Sequence, residues 1–340
     1  MDLKEIRATA REKLKGFCRV CPVCDGRACA GEVPGMGGVG TGKAFQENLR
    51  ALSRYKLNLR TIHGVKEPDL SFELFGVKVS MPVFAAPITG TTYNMGGALT
   101  EEEYTLAVTE GSLLAGTLAF TGDGADPTMY GSGLKAIKKV EGKGIPIIKP
   151  RAQEEIIKRI REAEEAGAIA VGVDIDGAGL LTMALKGQPV SPKTLEEVME
   201  IVNSTRLPFI LKGIMTPDEA ELAVRAGAKA IVVSNHGGRV LDETPGAADV
   251  LPEIAARVKG KITILADGGV RSGVDVLKLL ALGADGVLIG RPVIVAAFGG
   301  GAEGVKIYLE KIKKELREAM LLTGVARVNE VPGTVIRKEQ

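Results

Sequence analysis

The feature that most constrains this chain is a rhythm. From about residue 80 onward, short apolar runs alternate with stretches of helical periodicity. The runs are 83–88, 113–120, 145–150, 169–175, 209–214, 230–235, 263–268 and 286–291. Each has the continuous apolar character of a strand buried on both faces. Between them, TPDEAELAVRAG (216–227) and SGVDVLKLLALG (272–283) place apolar residues at helical spacing. Both open on a capping Thr or Ser and close on glycine. Eight β–α units in series predict an α/β fold, a closed (β/α)8 TIM barrel, because the count favours closure over a doubly wound sheet. The 340 residues leave room for that barrel and an extension. A basic amphipathic helix over 303–323 is the eighth outer helix and offers a subunit contact.

Composition removes several classes of function. The formal charge is +2, with no basic block, and aromatic residues make up 4%. No nucleic-acid track or base-stacking platform is expected. No apolar run reaches the ~18 residues of a membrane span. The opening MDLKEIRATAREKLKG is charged and reads as a helix over 2–15, not a secretory signal, which predicts a cytoplasmic protein.

Residues 1–45 read as an N-terminal helix with a Cys- and Gly-rich segment, ahead of a barrel spanning 46–340. All four cysteines sit there: Cys18, Cys21, Cys24 and Cys29. Clustered thiols in a reducing compartment favour an iron–sulfur cluster or zinc, with a redox-active pair or plain thiols as alternatives. GMGGVGTGKA (35–44) nearly matches a phosphate-binding loop. Ala44 stands where a magnesium-binding hydroxyl is needed and no buried strand precedes it, so it reads as a flexible joint. His63, in a polar stretch, reads as structural.

The chemistry gathers at the strand ends. IVVSNHGGRVLD (231–242) breaks from a buried run into Ser234, Asn235, His236, Gly237, Gly238 and Arg239. The glycines allow a sharp turn beside a ligand. His236 is a candidate base, and Arg239 can hold a carboxylate by two parallel bonds. Lys212 in FILKGI is a lysine among apolar residues that needs an anionic partner. Asp174 ends the fourth run and could orient an imidazole. Asp267-Gly268-Gly269-Val270-Arg271 and Gly290-Arg291, after the last two runs, read as a phosphate cradle. A phosphate site beside a base and a buried cation suits FMN, whose reduced ring is anionic.

SNHGGRVLD and LADGGVRSGVDVLKLLALGADGVLIGRP resemble the FMN-dependent α-hydroxy-acid oxidase and dehydrogenase family, which includes glycolate and lactate oxidases. The likeness is strong over 205–325, moderate over 80–175 and poor before 45. It implies that His236 is the base, that Asp174 pairs with it, and that Arg239 binds the substrate carboxylate. It implies that Lys212 sits against the flavin pyrimidine. Ser234, Asp267, Gly268, Gly269, Arg271, Gly290 and Arg291 would contact FMN, as would the first-strand segment Pro87, Ile88 and Thr89. The implied reaction converts an L-2-hydroxy acid of lactate or glycolate type to the 2-oxo acid, with electrons passing on to oxygen, a quinone or a protein. Barrels of this family are often tetramers, which implies a homo-oligomer.

Several positions depart from that pattern. Lys149 stands where the family has a flavin-touching glutamine, and Arg151 stands where it has a tyrosine. Gly172 replaces a threonine, and DIDGAGLLTMALKG lacks the second carboxylate-binding arginine. Arg151 is therefore the candidate for that second cation. The family's N-terminal tyrosine motif gives way to the cysteine and glycine segment. A carrier or electron-transfer subunit with FMN and a cysteine-bound metal is the alternative to an enzyme.

Overall fold

The computed structural model describes residues 1–339. Eight parallel strands close into a barrel: β1 (Val83–Ala85), β2 (Ala119–Thr121), β3 (Gly144–Ile148), β4 (Val171–Asp174), β5 (Phe209–Ile214), β6 (Ala230–Val233), β7 (Thr263–Ala266) and β8 (Gly286–Ile289). They follow chain order round the barrel, and β8 pairs back onto β1. The fold is the expected (β/α)8 TIM barrel.

The strand period of two sorts each run into two cores. Phe84, Phe120, Ile145, Ile147, Ile210, Val232, Leu265 and Leu288 fill the barrel interior. Val83, Ile148, Val171, Leu211, Ile231, Ile264 and Val287 pack outward beneath the helices. A hairpin, Phe72–Leu74 against Val77–Val79, plugs the N-terminal end. Its Leu74 and Val79 join the interior cluster, and Phe72 meets Phe84 edge-on at 6.3 Å. The C-terminal mouth is left as the open face, where such barrels place their chemistry.

Some boundaries move. The run 113–120 is divided, because a helix capped by Thr100 and Glu103 continues through Leu114 and the strand starts at Ala119. The last run stops at Ile289, and Arg291 already opens a helix to Leu321, kinked at Gly301 (φ 58°, ψ −146°). By length and mean hydropathy (1.2) this helix could cross a membrane. Here it lies on the barrel, packed against α1 (Leu3–Lys13) and the helix Glu101–Leu114.

The glycine stretch is not a flexible joint. The Val39 amide donates to the Gly238 carbonyl at 2.8 Å. The Thr41 amide and hydroxyl donate to Asp242 at 2.6 and 2.8 Å, and the Ala44 amide at 3.2 Å. Asp242 thus caps α2 (Lys43–Ser53), which runs straight across residue 45. Asn48 donates to Asn235 at 2.7 Å, and Arg54 grips Asp249 at 2.8 and 2.7 Å. These bonds fix α2 to the loop and the helix that follow β6. His63 is exposed and meets the Arg60 carbonyl at 3.1 Å.

Candidate active site

Beyond β6 the backbone turns through three consecutive left-handed residues, His236, Gly237 and Gly238 (φ 58°, 63° and 76°). Glycine is required at the third: a Cβ on Gly238 would lie 2.3 Å from the Phe45 amide nitrogen. Left-handed backbone at a non-glycine residue is costly and concentrates at functional sites. It is braced here by the His236 amide, which donates to Ser234 Oγ at 3.0 Å. The turn aims the imidazole into the barrel mouth with 13% of its side chain exposed.

The carboxylate on this imidazole is not the expected one. Asp176 accepts from Nδ1, its two oxygens lying 2.9 and 3.1 Å away. Asp174 lies 3.8 Å from Nε2, and its Oδ2 pairs with Lys149 Nζ. The cause is local. β4 ends on Asp174, and the 3-10 turn Ile175–Gly179 carries Asp176 back over the mouth. Space for it comes from β5. Gly213 (φ 96°) sits at a register shift between Lys212 and Ile214, and a Cβ there would lie 2.4 Å from Asp176 Cγ.

Burial, with Lys212 and Lys149 nearby, pushes the His236 pKa below 6.5, outweighing Asp176. Burial also works against the charge on Asp176. The imidazole, Lys212 and Lys149 nevertheless hold its carboxyl below the ordinary range. The result is a neutral imidazole whose Nδ1 hydrogen is fixed by an anion, leaving Nε2 free to take a proton.

Lys212 Nζ, at the inner end of β5, is fully buried and lies 3.0 Å from Ser234 Oγ and 3.7 Å from Asp267. Burial disfavours its charge, but Asp267, Asp176 and Asp174 raise its pKa. Ser234 is itself buried behind Lys212 and His236 and does not line the cleft.

Three arginines at the mouth have no carboxylate within ion-pair distance among the described residues. Arg239 donates to the Gly35 carbonyl (2.6 Å), the Gly37 carbonyl (3.2 Å) and Asn94 Oδ1 (3.0 Å). Arg291 donates to the carbonyls of Met36 (2.7 Å), Gly37 (2.8 Å) and Gly237 (3.1 Å), and it stacks on Phe45 at 3.8 Å. Arg271 reaches the Cys24 carbonyl at 3.1 Å. Burial pulls Arg239 down to about 9 and Arg291 to about 10, each further lowered by a neighbouring arginine. Sheltered cations without counter-ions favour anionic ligands.

Arg151 does not face the cleft. Its guanidinium is buried on Asp123 (2.8 and 3.2 Å) and donates to Gln188 Oε1 at 2.9 Å. The expected second substrate cation is instead part of a closed ion cluster just past β3, where Arg159 also reaches Asp123 at 3.5 Å. Asp123 makes the difference: it opens the loop after β2 and meets Arg151 there.

The cleft is lined by Pro87, Ile88, Thr89, Lys149, Lys212, His236, Arg239, Asp267 to Arg271, Gly290 and Arg291, drawn from six strand ends. Tyr93, Asn94 and Leu180 also line it, and sequence reasoning missed them along with Asp176. A signal for Asp176 was present in the glycine inside FILKGI. Among the described residues the Gly268 and Gly269 amides donate to no protein acceptor. Asp174 Oδ1 and Asp267 Oδ1 are buried without a partner. Free amides and arginines at one end, and a buried cation with unsatisfied carboxylates at the other, fit a phosphorylated ring such as FMN.

A barrel with this cleft belongs to the flavin-binding class, and the comparisons give the family. The FMN-dependent dehydrogenase family matches residues 35–186 and 182–338. The chain belongs to this family. It is 33% identical to human 2-hydroxyacid oxidase 1, over 87% of this chain and 89% of that protein. It is 47% identical to an L-lactate dehydrogenase of Pseudomonas paraeruginosa, over 44% of this chain and 39% of that one. Among solved structures, mandelate oxidase with benzoyl-formic acid superposes with a TM-score of 0.80 at 30% identity, covering 99% of this chain and 98% of that one. Mandelate oxidase has also been solved with a C4a-OH-FMN adduct (TM-score 0.77, 29% identity, 98% of each chain). The chain is thus an FMN-dependent oxidoreductase of the hydroxy-acid type.

The cysteines lie outside this cleft. Cys18, Cys21, Cys24 and Cys29 are free thiols lining a second cavity, whose wall includes Arg271 and Arg291.

Proposed function

We propose that the protein oxidises an L-2-hydroxy acid, of lactate or glycolate size or larger, to the 2-oxo acid. The observation that carries this reading is one cleft holding both the Asp176-fixed His236 and the counter-ion-free Arg239. Arg239 takes the substrate carboxylate by a bidentate contact. His236 Nε2 takes the hydroxyl proton, and Asp176 on Nδ1 stabilises the imidazolium that forms. Asp174, 3.8 Å from Nε2, adds a second negative charge to that cation. Lys212 would stand at the pyrimidine edge of the ring, with Pro87, Ile88, Thr89 and Lys149 along it. Gly268, Gly269, Arg271, Gly290 and Arg291 would hold the phosphate. FMN, when bound, supplies the acceptor for the two electrons of the α-carbon–hydrogen bond. Tyr93 and Leu180 leave an apolar wall for the substituent of the acid.

The test is turnover of the FMN-loaded protein with a dye acceptor on glycolate, L- and D-lactate and L-mandelate, with the 2-oxo acid quantified. The reading expects an L-acid to be consumed and the activity to vanish in His236→Gln. No 2-oxo acid from any of them, with FMN bound, overturns it. Oxygen, a quinone and a protein remain the candidate acceptors. The cysteine cavity supports a second reading, an electron-transfer flavoprotein with a metal or iron–sulfur group on those thiols. It shares Met36, Arg271 and Arg291 with the flavin cleft.

A further inference from the structure

All four cysteines of the chain precede the start of the family match at residue 35. Their thiols converge on one cavity of about 450 Å³. The backbone that carries them is clamped. Arg7, from α1, donates to the carbonyls of Val20 (3.2 Å) and Cys21 (2.6 Å), and Arg11 donates to Val20 at 3.1 Å. Arg19 pairs with Glu32 at 2.7 Å. Val20 adopts a left-handed φ of 45°, and its amide donates to Cys18 Sγ at 3.4 Å. A β-branched residue in that region is a genuine outlier. The turn at Val20 brings Cys18 and Cys21 onto the same cavity.

The charge on the wall points to an anion. Arg7, Arg19, Arg271, Arg291 and Lys311 line the cavity beside Asp25. Glu32 and Glu315 engage Arg19 and Lys311, which leaves Arg7, Arg271 and Arg291 without a carboxylate in ion-pair distance among the described residues. Arg271 reaches Cys24 Sγ at 3.5 Å, and its Nε is buried with no acceptor. Hydrogen bonds and cations around sulfur ligands are what stabilise a thiolate-bound group.

Spacing separates the candidate metals. Zinc–sulfur bonds of about 2.3 Å place four tetrahedral thiolates about 3.8 Å apart. Among the described residues, no three of these sulfurs lie within 4.8 Å of one another. An iron–sulfur cluster spreads its thiolates over different irons and fills the space between them. We propose that Cys18, Cys21, Cys24 and Cys29 hold an iron–sulfur cluster, with all four thiolates as its iron ligands. This inference stands on the cysteine cavity and does not need the 2-hydroxy-acid reading. Where both hold, Arg271 and Arg291, which line both cavities, would stand between the two groups, and a cluster there would let the flavin's two electrons leave one at a time, with its proton released to solvent. Two molecules of a one-electron carrier protein would then each be reduced once.

The experiment is iron, zinc and acid-labile sulfide analysis of the full chain purified without oxygen, with electron paramagnetic resonance after dithionite reduction. Iron and acid-labile sulfide in equal amounts, at least two of each per chain, and a reduced-cluster signal are expected. Cys21→Ser and Cys24→Ser should lose most of that iron while keeping FMN and the wild-type circular dichroism. Zinc without sulfide overturns the proposal. So does a metal-free chain that takes up no cluster when given iron and sulfide, whether or not the variants fold. FMN content on the same samples reports the flavin site separately.

Discussion

His236 and Asp176 are joined through Nδ1 at 2.9 Å, although Asp174 ends the strand that points at the same imidazole. The contact divides two carboxylates between two tasks. Asp176 fixes the tautomer of the base, and Asp174 neutralises Lys149. Asp176→Asn should lower kcat by about 10²-fold or more while FMN stays bound, because an amide can present the wrong partner to Nδ1. Steady-state kinetics and flavin content on the same sample check it. A wild-type kcat in that variant would contradict the assignment.

Gly213 makes that contact possible from the opposite side. Gly213→Ala places a methyl where Asp176 Cγ now lies, 2.4 Å away, on a backbone of φ 96°. Activity should fall with the acid limb of the pH profile displaced, and stability should drop by about 1 kcal/mol or more. Thermal melts together with the pH profile separate the two effects. An unshifted profile would mean that Gly213 serves only the fold.

The pH dependence follows from the direction of the His236 shift. Burial holds its folded pKa below 6.5, so the imidazole is neutral at and above that pH. kcat/KM should be flat on the neutral side and fall only below pH 6.5. In the same window the unfolded chain binds the extra proton more readily than the folded one. Stability should therefore decline as pH falls from 6.5. Rate profiles and melting temperatures at pH 7 and pH 5 test both signs, and an acid limb above 6.5 would contradict them.

Arg151 and Arg239 should behave in opposite ways. Arg151→Ala leaves the buried Asp123 with the Arg159 guanidinium, 3.5 Å away, as its remaining ion pair among the described residues, and a loss of about 1–3 kcal/mol is expected. Any change in KM should be small by comparison. Arg239→Lys keeps the charge but loses the planar fork, so KM for the acid should rise about tenfold or more with little change in melting temperature. Denaturant unfolding and substrate titration on both variants check the contrast.

Much of this was legible in the sequence because it follows from local rules. Eight apolar runs gave the barrel, and Thr216 and Ser272 marked helix starts as caps. The strand-end residues His236, Arg239, Lys212 and Arg291 share one mouth because every βα unit ends there. What local rules cannot convey is which of two nearby side chains a turn swings inward. Asp174 and Asp176 are two residues apart, and the short turn after β4 decides between them. Arg151 illustrates the same limit, since its partner Asp123 comes from a different strand end. The glycine segment 35–42 looked unstructured in isolation. Its order comes from Asp242 and Gly238, about two hundred residues away.

The most direct test of the central claim is the visible spectrum of the FMN-loaded protein while L-lactate, glycolate or L-mandelate is added without oxygen. The account predicts that the flavin absorbance bleaches with at least one of these acids, and that His236→Gln, still carrying flavin, does not bleach. A flavin that stays oxidised with every acid, in a protein that otherwise binds FMN, would contradict it.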